Sequence, residues 1–377
     1  MINIFEPSVS RDDMNCLEKV FESKWIGSGP EVSGFKKELA EDFGVSEERC
    51  LLTNSCSAGL MVLPYLFDIG KGDSVVMPTI SFPSLANSFY RVGVDIRFTD
   101  LDEKTGNVRL KDIVDEIDET TKAVIVTHYG GTPVDLDPIL DYCKERNIYV
   151  IEDAACAIKS FYKDKRVGTF SDCALWSLDA MKTLTTGDGG FMILRDKKLK
   201  ERASELLYLG LPAQEKTGLD KSENSDQMWW EYDVTCAGSR DVLNDIAASI
   251  GRHQLSRLDK YMARRKVISE CYIKRLQGVG DLGFLGKDCW NKETSNYFFT
   301  ITSSKRDDLA RYMKEKGIYT TFRYWPLHKT SLYKSDPVLF PNAEYLSSSA
   351  LNIPVHQNLS DSDVGFIVNT ITNFFSK

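Results

Sequence analysis

The stretch Ile148-Tyr-Val-Ile-Glu-Asp-Ala-Ala-Cys-Ala157 joins a short apolar run to a segment of acidic and small residues. It belongs to a series of short apolar runs, rich in β-branched residues, that are separated for the most part by helix-like segments. The runs are Cys50–Thr53, Ser74–Met77, Asp95–Thr99, Ala123–Thr127, Ile148–Ile151, Ala174–Ser177 and Gly190–Leu194. Strands that alternate with helices form a mainly parallel sheet, and continuous apolar runs are typical of strands buried on both faces. The sequence therefore predicts an α/β fold.

The pattern changes beyond the last of these runs. We predict a helix over Lys197–Leu209, a long exposed loop over Pro212–Asp226 and a strongly helical region over Leu243–Leu276. The remaining tail mixes strand-like and helix-like segments. The sequence thus predicts a large domain over residues 1–250, with a mainly parallel mixed sheet sandwiched by helices, and a smaller α+β C-terminal domain over residues 251–377.

Composition and charge exclude several classes of protein. The chain has 377 residues, of which 42% are hydrophobic and 27% are charged, and this is ordinary for a globular protein. Its formal net charge is −8, so we expect no binding of nucleic acid through bulk positive charge. The densest basic run, Arg264-Arg-Lys266, is typical of a solvated helix face.

The cysteines and histidines give no sign of a disulfide framework or a metal site. The nine cysteines are odd in number, scattered and without a C-x-x-C pair, which favours reduced thiols in a cytoplasmic protein. No two of the four histidines stand three to five residues apart, so we expect no metal. The N-terminus lacks a signal-peptide pattern, and no apolar run approaches the length of about 18 residues that a membrane span needs.

Two charged residues lie where strands of the predicted sheet end. Asp153 follows the apolar run 148–151, and ligands of parallel α/β sheets bind beyond the carboxyl ends of the strands. Lys182 comes five residues after Ser177, between an apolar strand and a glycine-rich turn. An enclosed lysine is costly unless it is paired or used, and one use is Schiff-base chemistry with a carbonyl compound. The alternatives are a helix-capping aspartate and a solvated surface lysine.

A third segment, Thr53-Asn-Ser-Cys-Ser-Ala-Gly59, lies where a strand ends and a helix begins. Small and hydroxyl residues at this place allow backbone N–H groups and a serine hydroxyl to hold a phosphate at the positive end of the helix. An ordinary helix N-cap is the alternative interpretation. The chain has neither a Walker phosphate-binding loop nor the G-x-G-x-x-G fingerprint of dinucleotide-binding proteins.

Together these segments match the needs of pyridoxal 5′-phosphate, which are a lysine, an acidic partner for the ring nitrogen, a phosphate site and a stacking face. The order of the segments resembles that of fold-type I enzymes of this cofactor. More narrowly, the chain resembles the DegT/StrS family of nucleotide-sugar aminotransferases over nearly its whole length. The motifs that carry the resemblance are Trp25-Ile-Gly-Ser-Gly-Pro30, Asn54-Ser-Cys-Ser-Ala58, Pro78-Thr-Ile-Ser-Phe82, His128-Tyr-Gly-Gly-Thr-Pro133, Glu152-Asp-Ala-Ala155 and Lys182-Thr-Leu-Thr-Thr-Gly-Asp-Gly-Gly190.

The resemblance implies roles for individual residues. Lys182 matches the lysine that binds the cofactor, and Asp153 matches the carboxylate on its ring nitrogen. The other cofactor contacts that the resemblance implies are Ser57, Ala58 and Ser177 at the phosphate and Phe82 at the stacking face. The positions that match contacts to the sugar nucleotide are Ser28, Gly29, Tyr324 and His328.

The chain departs from the family pattern at two places. Cys156 stands where the family usually has glutamine or histidine to contact the 3-hydroxyl of the cofactor, and a thiol is a poor hydrogen-bond partner. The second place is Gly238-Ser-Arg240, where the family more often reads G-Y-[NK]-Y. In the family, a polar residue from this part of the neighbouring subunit reaches the phosphate region. Arg240 is the candidate for that role here, and an ordinary surface arginine is the alternative.

The activity that the resemblance implies is transfer of an amino group from L-glutamate to a keto sugar linked to a nucleoside diphosphate, in the synthesis of deoxyamino sugars and surface polysaccharides such as lipopolysaccharide. One alternative is a sugar dehydratase or epimerase on the same fold, although family dehydratases carry histidine where this chain has Lys182. Another is a regulatory protein that binds the cofactor without turnover. The resemblance, with the long polar segment Pro212–Asp226, also implies a homodimer whose active sites are shared between the chains.

Overall fold

The apolar runs of the N-terminal half form the strands of one sheet. The computed structural model describes residues 1–212, 228, 230–286 and 294–376. Its strands, numbered in chain order, are β1 Cys50–Thr53, β2 Ser74–Pro78, β3 Asp95–Thr99, β4 Thr121–Thr127, β5 Tyr149–Asp153, β6 Phe161–Tyr162, β7 Lys165–Arg166, β8 Cys173–Ser177, β9 Gly190–Leu194, β10 Gly283–Phe284, β11 Phe299–Thr302 and β12 Ala350–Ile353. The largest sheet has the order β1-β9-β8-β5-β4-β2-β3. Within it β9 is antiparallel to both of its neighbours, and all other neighbours are parallel.

Helices cover both faces of this sheet. The described helices are α1 Arg11–Ser23, α2 Pro30–Phe43, α3 Cys56–Met61, α4 Leu63–Leu66, α5 Pro83–Tyr90, α6 Leu110–Val114, α7 Asp137–Glu145, α8 Lys197–Leu207, α9 Asp245–Leu255, α10 Leu258–Leu276, α11 Arg306–Glu315, α12 Pro341–Ser349 and α13 Asp361–Phe375. Successive side chains of a strand point to opposite faces. Accordingly Met77 of β2 packs with Leu85 of α5, whereas its neighbour Val76 packs in a different cluster with Ile139 of α7.

The C-terminal part forms a second, smaller layer. Strands β10, β11 and β12 make an antiparallel sheet, and residues of α10, α11 and α13 pack on it in one buried cluster. The N-terminus joins this part, because Ile2 pairs with Ile318 and packs against the same cluster.

The sequence predictions of the elements are confirmed in kind and place. The seven predicted strands are the seven strands of the large sheet, so the predicted α/β class is correct. The helical region Leu243–Leu276 is two helices, α9 and α10. The predicted loop Pro212–Asp226 lies, apart from Pro212, outside the described residues. The domain boundary between residues 250 and 251 stays a prediction; helix α9 runs across it and packs against α1 and α2.

The described part of the chain contains no candidate for a bilayer-spanning helix or for a metal centre. None of its helices combines the length and apolar character that a bilayer crossing requires. None of its groups of histidine, cysteine, aspartate and glutamate side chains is arranged to hold a metal ion.

Candidate active site

Lys182 and Asp153 face one cavity of about 310 Å³ at the carboxyl ends of the parallel strands. Asp153 is the last residue of β5, which pairs in parallel with β8. Lys182 lies in the turn that leads from β8 to the antiparallel strand β9. The sheet therefore brings together two residues that the sequence places in separate segments, as the position of ligands in such sheets predicts.

Lys182 is held among polarisable groups rather than carboxylates. Its Nζ lies 3.6 Å from Cys156 Sγ and 4.7 Å from the centre of the Tyr297 ring. Burial acts to lower the pKa of Lys182, but the thiol of Cys156 and the phenols of Tyr297 and Tyr324 outweigh it and leave the pKa raised. Lys182 is partly buried, so the alternative of a fully solvated surface lysine is wrong.

Asp153 is a buried carboxylate with few hydrogen bonds. It accepts hydrogen bonds from the Ala155 N–H at 3.0 Å and from Thr127 Oγ1 at 3.4 Å. Burial raises its pKa, and the bond from Ala155 and the charge of Lys182 oppose that shift. A turn rather than a helix follows β5, so the alternative of a helix-capping Asp153 is wrong. The carboxylate remains available to a cation in the cavity.

His128 forms the wall next to Asp153 and is fixed by the core. Its Nε2 donates to Glu152 Oε2 at 3.0 Å, and its Nδ1 accepts from the Val134 N–H at 3.1 Å. Glu152 is itself fully buried and accepts from the Gly168 N–H at 2.7 Å. These bonds set the tautomer and orientation of the imidazole, whose ring lines the cavity.

Serine side chains line one end of the cavity, where the phosphate was predicted. Ser57 and Ser177 line it together with Ser55. Ser55 is the N-cap of α3, because its Oγ accepts from the Ala58 N–H at 3.1 Å. The predicted contact Ala58 lies instead on a neighbouring opening of about 730 Å³, which Ser57 also lines. The N-cap interpretation is therefore confirmed at Ser55, and the phosphate site stays a prediction, for which Ser57 and Ser177 place hydroxyls on the cavity.

Aromatic side chains also line the cavity, among them Phe82, Tyr297 and Tyr324. Phe82 is half exposed, and its ring centre lies 5.5 Å from that of Tyr324 in an edge-to-face arrangement. The Tyr324 hydroxyl lies 3.9 Å from Cys156 Sγ. Cys156 is buried, and burial raises the pKa of its thiol. Cys156 thus contacts both Lys182 and a phenol at the position where the family usually has a stronger hydrogen-bonding residue.

The structure does not bring His328 to the cavity. Its imidazole is 1% exposed, and its Nδ1 shares a hydrogen bond of 2.7 Å with Thr79 Oγ1. Its Nε2 lies 2.7 Å from Glu344 Oε1, and its ring stacks on Phe340. His328 therefore joins the end of β2 to the segment that carries Tyr324, behind the wall of the cavity.

Ser28, Gly29 and Arg240 also lie away from the residues that line the cavity. The N–H of Gly29 donates to Asp245 Oδ1 at 2.9 Å, and the Ser28 carbonyl accepts from the Trp25 indole. Arg240 is exposed, with its guanidinium 5.2 Å from the centre of the Tyr208 ring. Within the described single chain these three residues belong to its surface.

Sequence reasoning missed several residues of the wall. Tyr297, Arg323 and Met181 all line the cavity, as does Ser84, whose buried Oγ has no hydrogen-bond partner among the described residues. Tyr297 and Arg323 come from the C-terminal third of the chain, and no local pattern links them to Lys182. Met181 was adjacent to a predicted site residue, and this adjacency was the only signal.

The fold and this site define the class of the protein. The chain is similar throughout to the solved structure of the aminotransferase TlmJ from Streptoalloteichus hindustanus, with a TM-score of 0.92 and 38% identity, covering 100% of this chain and 99% of that one. The chain is thus an enzyme of the aminotransferase class.

The family follows from the sequence comparison. The model of the DegT/DnrJ/EryC1/StrS aminotransferase family matches residues 7–372. The chain belongs to this family. It is 38% identical to dTDP-4-dehydro-2,3,6-trideoxy-D-glucose 4-aminotransferase of Saccharopolyspora spinosa, over 100% of this chain and 96% of that protein. It is 29% identical to GDP-perosamine synthase of Escherichia coli O157:H7, over 100% of this chain and 99% of that protein.

Proposed function

We propose that the chain uses pyridoxal 5′-phosphate to transfer an amino group from L-glutamate to a keto sugar linked to a nucleoside diphosphate. The observation that carries the proposal is that Lys182 and Asp153 meet at one cavity at the carboxyl ends of β5 and β8. The names of two relatives support the substrate class, because one acts on a dTDP-linked keto sugar and the other makes a GDP-linked amino sugar.

The residues of the cavity fit the cofactor. Asp153 is a buried carboxylate whose hydrogen bonds come from one backbone N–H and one hydroxyl, and this leaves it free to accept from a cationic ring nitrogen. Ser84 offers a buried hydroxyl without a partner in the described structure. Ser57 and Ser177 place further hydroxyls at one end of the cavity, where they suit the oxygens of a phosphate. Phe82 offers a half-exposed ring for stacking.

The cofactor supplies an aldehyde that a lysine amine binds covalently and a ring that accepts electrons from the substrate. The amine of Lys182 would hold the cofactor in the resting enzyme and would be free when the amino donor takes its place. This amine would then take the proton from the α carbon of the donor and return a proton when the keto sugar receives the amino group. One lysine thus serves as nucleophile and as general acid and base.

Asp153 would keep the ring nitrogen of the bound cofactor protonated. A cation against this carboxylate favours its ionised form and opposes the rise in pKa that burial causes. Cys156 occupies the position for the 3-hydroxyl contact, and the Tyr324 hydroxyl beside it offers a stronger hydrogen-bond donor. We assign the contact to the 3-hydroxyl to Cys156 and Tyr324 together.

The sugar nucleotide is proposed to enter over Phe82 and Tyr324, whose rings border the cavity. Ser28 and Gly29 remain proposed contacts at the surface, and His328 acts on the substrate through the segment that it holds rather than by touching it. The product is an amino sugar linked to a nucleotide, which suits the synthesis of surface polysaccharides in the cytoplasm.

We further propose a homodimer with shared active sites. Exposed apolar side chains cluster in the segment that precedes Arg240, and a partner chain would remove them from water. They are Trp230 at 57% exposure, Tyr232 at 73% and Val234 at 55%. Arg240 is itself exposed, so its fork is free to reach the phosphate region of the partner's site, where it suits phosphate oxygens.

A complementation experiment tests this arrangement. Inactive Lys182→Ala and inactive Arg240→Ala chains are mixed under conditions that exchange subunits. If Arg240 acts in the partner's site, each mixed dimer has one intact site, so roughly a quarter of the wild-type activity returns in a random mixture. Activity that stays at background shows that Arg240 serves its own chain. A fully active monomer at micromolar concentration would contradict the dimer as well.

Spectroscopy of the holoenzyme tests the proposed function. L-glutamate alone is expected to bleach the visible absorbance of the wild-type holoenzyme, and a nucleotide-linked keto sugar is expected to restore it. The Lys182→Ala variant, as the control, should show neither change, and borohydride reduction of the wild type should label the peptide that contains Lys182. A holoenzyme that binds the cofactor and does not respond to L-glutamate would favour the regulatory alternative.

A further inference from the structure

Arg323 lines the cavity next to Lys182, and neither the sequence motifs nor the family match gives it a role. We propose that Arg323 binds the α-carboxylate of the amino donor. This inference rests on the proposed function, since it names the residue that the donor half of the reaction needs.

The guanidinium of Arg323 has no counter-ion in the described structure. It lies 4.8 Å from the centre of the Phe5 ring, and its Nη2 lies 3.6 Å from Met181 Sδ. No carboxylate of the described residues comes within 4.0 Å of it. Arg323 is partly buried, and a cation in such a place whose contacts with the described residues are a ring and a sulfur is poised to take up an anion.

Buried hydrogen bonds fix the backbone from which this side chain extends. The Arg323 N–H donates to Asn352 Oδ1 at 2.8 Å, and its carbonyl accepts from the Tyr129 hydroxyl. Asn352 is 1% exposed and donates in turn to Thr300 Oγ1. The backbone that carries the guanidinium is thus held in advance, and this lowers the cost of binding a ligand.

An aromatic pair sets Arg323 beside Lys182. The rings of Phe5 and Tyr297 are stacked with their centres 5.1 Å apart and their planes 16° apart. Arg323 lies over Phe5, and Lys182 lies over Tyr297. Two cations that line one cavity therefore rest on adjacent rings, so the carboxylate of an amino acid could bind Arg323 while its amino group lies near Lys182.

The position of Arg323 favours the α-carboxylate over the other anions of the reaction. The phosphate of the cofactor is assigned to the serine end, at Ser57 and Ser177. Met181, which contacts Arg323, is the residue next to Lys182, so an anion on Arg323 lies close to the reacting amine. The α-carboxylate is one bond from the carbon that carries the amine, and the planar fork of arginine binds a carboxylate through two hydrogen bonds.

Calorimetry on the holoenzyme tests the inference without turnover. The probe is 2-methyl-L-glutamate, which keeps both carboxylates but has no hydrogen on its α carbon. The Arg323→Gln substitution should raise its dissociation constant about ten- to a hundredfold, the usual cost of losing a hydrogen-bonded charge. Arg323→Lys, which keeps the charge without the fork, should lie between Arg323→Gln and the wild type.

Matched controls separate this site from other effects. The exposed Arg311, which pairs with Asp308 on α11, provides Arg311→Gln, and this variant should bind the probe as the wild type does. The dissociation constants of dTDP and GDP should be unchanged in Arg323→Gln. Bleaching by 4-aminobutyrate, which lacks the α-carboxylate, should be equally slow in Arg323→Gln and the wild type.

Other results would overturn the inference. Unchanged binding of 2-methyl-L-glutamate to Arg323→Gln would show that the carboxylate binds elsewhere. Weaker binding of dTDP or GDP, with unchanged binding of the probe, would assign Arg323 to the diphosphate. A wild-type holoenzyme that L-glutamate fails to bleach would contradict the proposed function itself, and the inference would fall with it.

Discussion

At the scale of single residues, the chemistry depends on how the environment of Asp153 changes its charge. The carboxylate is buried, and burial raises its pKa, whereas a cation beside it acts to lower that pKa. The charge of Lys182 acts in this direction, although its amine contacts Cys156 and Tyr297 rather than Asp153. A further cation in the cavity would therefore favour the ionised form of Asp153.

Substitution of Asp153 by asparagine tests this link. We expect the Asp153→Asn variant to bind the cofactor but to lose about two or more orders of magnitude in turnover, because an amide cannot stabilise a positive ring nitrogen. The measurement is the steady-state rate together with the absorbance spectrum of the variant. A turnover near that of the wild type would show that Asp153 has only a structural role at the end of β5.

The sequence predicts the site residues that lie in local motifs, but it does not predict residues that reach the cavity only through the tertiary fold. Lys182 and Asp153 follow apolar strands, and strand ends converge in a parallel sheet. Tyr297 and Arg323 come from a distant part of the chain, and their role depends on how that part packs over the cavity. For His328 the motif indicated a position near the site but not the direction of the side chain, which points to Thr79 and Glu344.

At the scale of elements, one aspartate joins the start of α2 to α9. Asp245 is 2% exposed, and its Oδ1 accepts from the N–H groups of Gly29 and Val32 at 2.9 and 3.0 Å. Gly29, the N-cap residue of α2, has no capping side chain of its own. Asp245 therefore satisfies the first turn of α2 from another helix.

Removal of this side chain should weaken the fold. We expect Asp245→Ala to lower the free energy of unfolding by about 1–3 kcal/mol, because two backbone donors lose their acceptor. Asp245→Asn keeps an acceptor oxygen and should lose less. Urea unfolding followed by circular dichroism measures both variants. If both unfolded at the wild-type urea concentration, Asp245 would not stabilise α2.

The predicted strands were located well because each is an apolar run bounded by glycine or polar residues. Elements whose sequences lack such an apolar run with polar or glycine borders were not predicted, among them α1, α12 and β12. Helix α1 has only Asp13 and Val20 buried, and its apolar residues Met14 and Phe21 are exposed, so packing in this chain does not mark it as a core helix. The bounds of β12 are set by its pairing with β11, a long-range contact that no local pattern reveals.

At the scale of the whole molecule, His356 connects the N-terminus to the C-terminal part. Its Nε2 donates to the Asn3 carbonyl at 3.2 Å, and its side chain is 2% exposed. Burial, together with the charge of Arg265, lowers the pKa of His356 to about 4. The unfolded chain binds this proton near pH 6.5, so the folded state binds fewer protons between these two pH values.

The stability of the protein should therefore fall as the pH drops from about 6.5 to about 4. The contribution of His356 to this loss is about 3 kcal/mol, since each pKa unit corresponds to about 1.4 kcal/mol. His356→Gln, which keeps a donor for Asn3, should show a shallower dependence of unfolding free energy on pH over this range. Equal slopes for the variant and the wild type would contradict this role of His356.

The central claim is that the enzyme moves nitrogen from L-glutamate to a sugar linked to a nucleotide, and isotope transfer tests it most directly. L-glutamate with a heavy nitrogen isotope is incubated with the holoenzyme and a panel of dTDP- and GDP-linked keto sugars, and the products are analysed by mass spectrometry. We predict a nucleotide sugar that carries the heavy nitrogen in place of the keto oxygen, and no such product with Lys182→Ala. A sugar product that has lost water or changed configuration without gaining the isotope would contradict the claim.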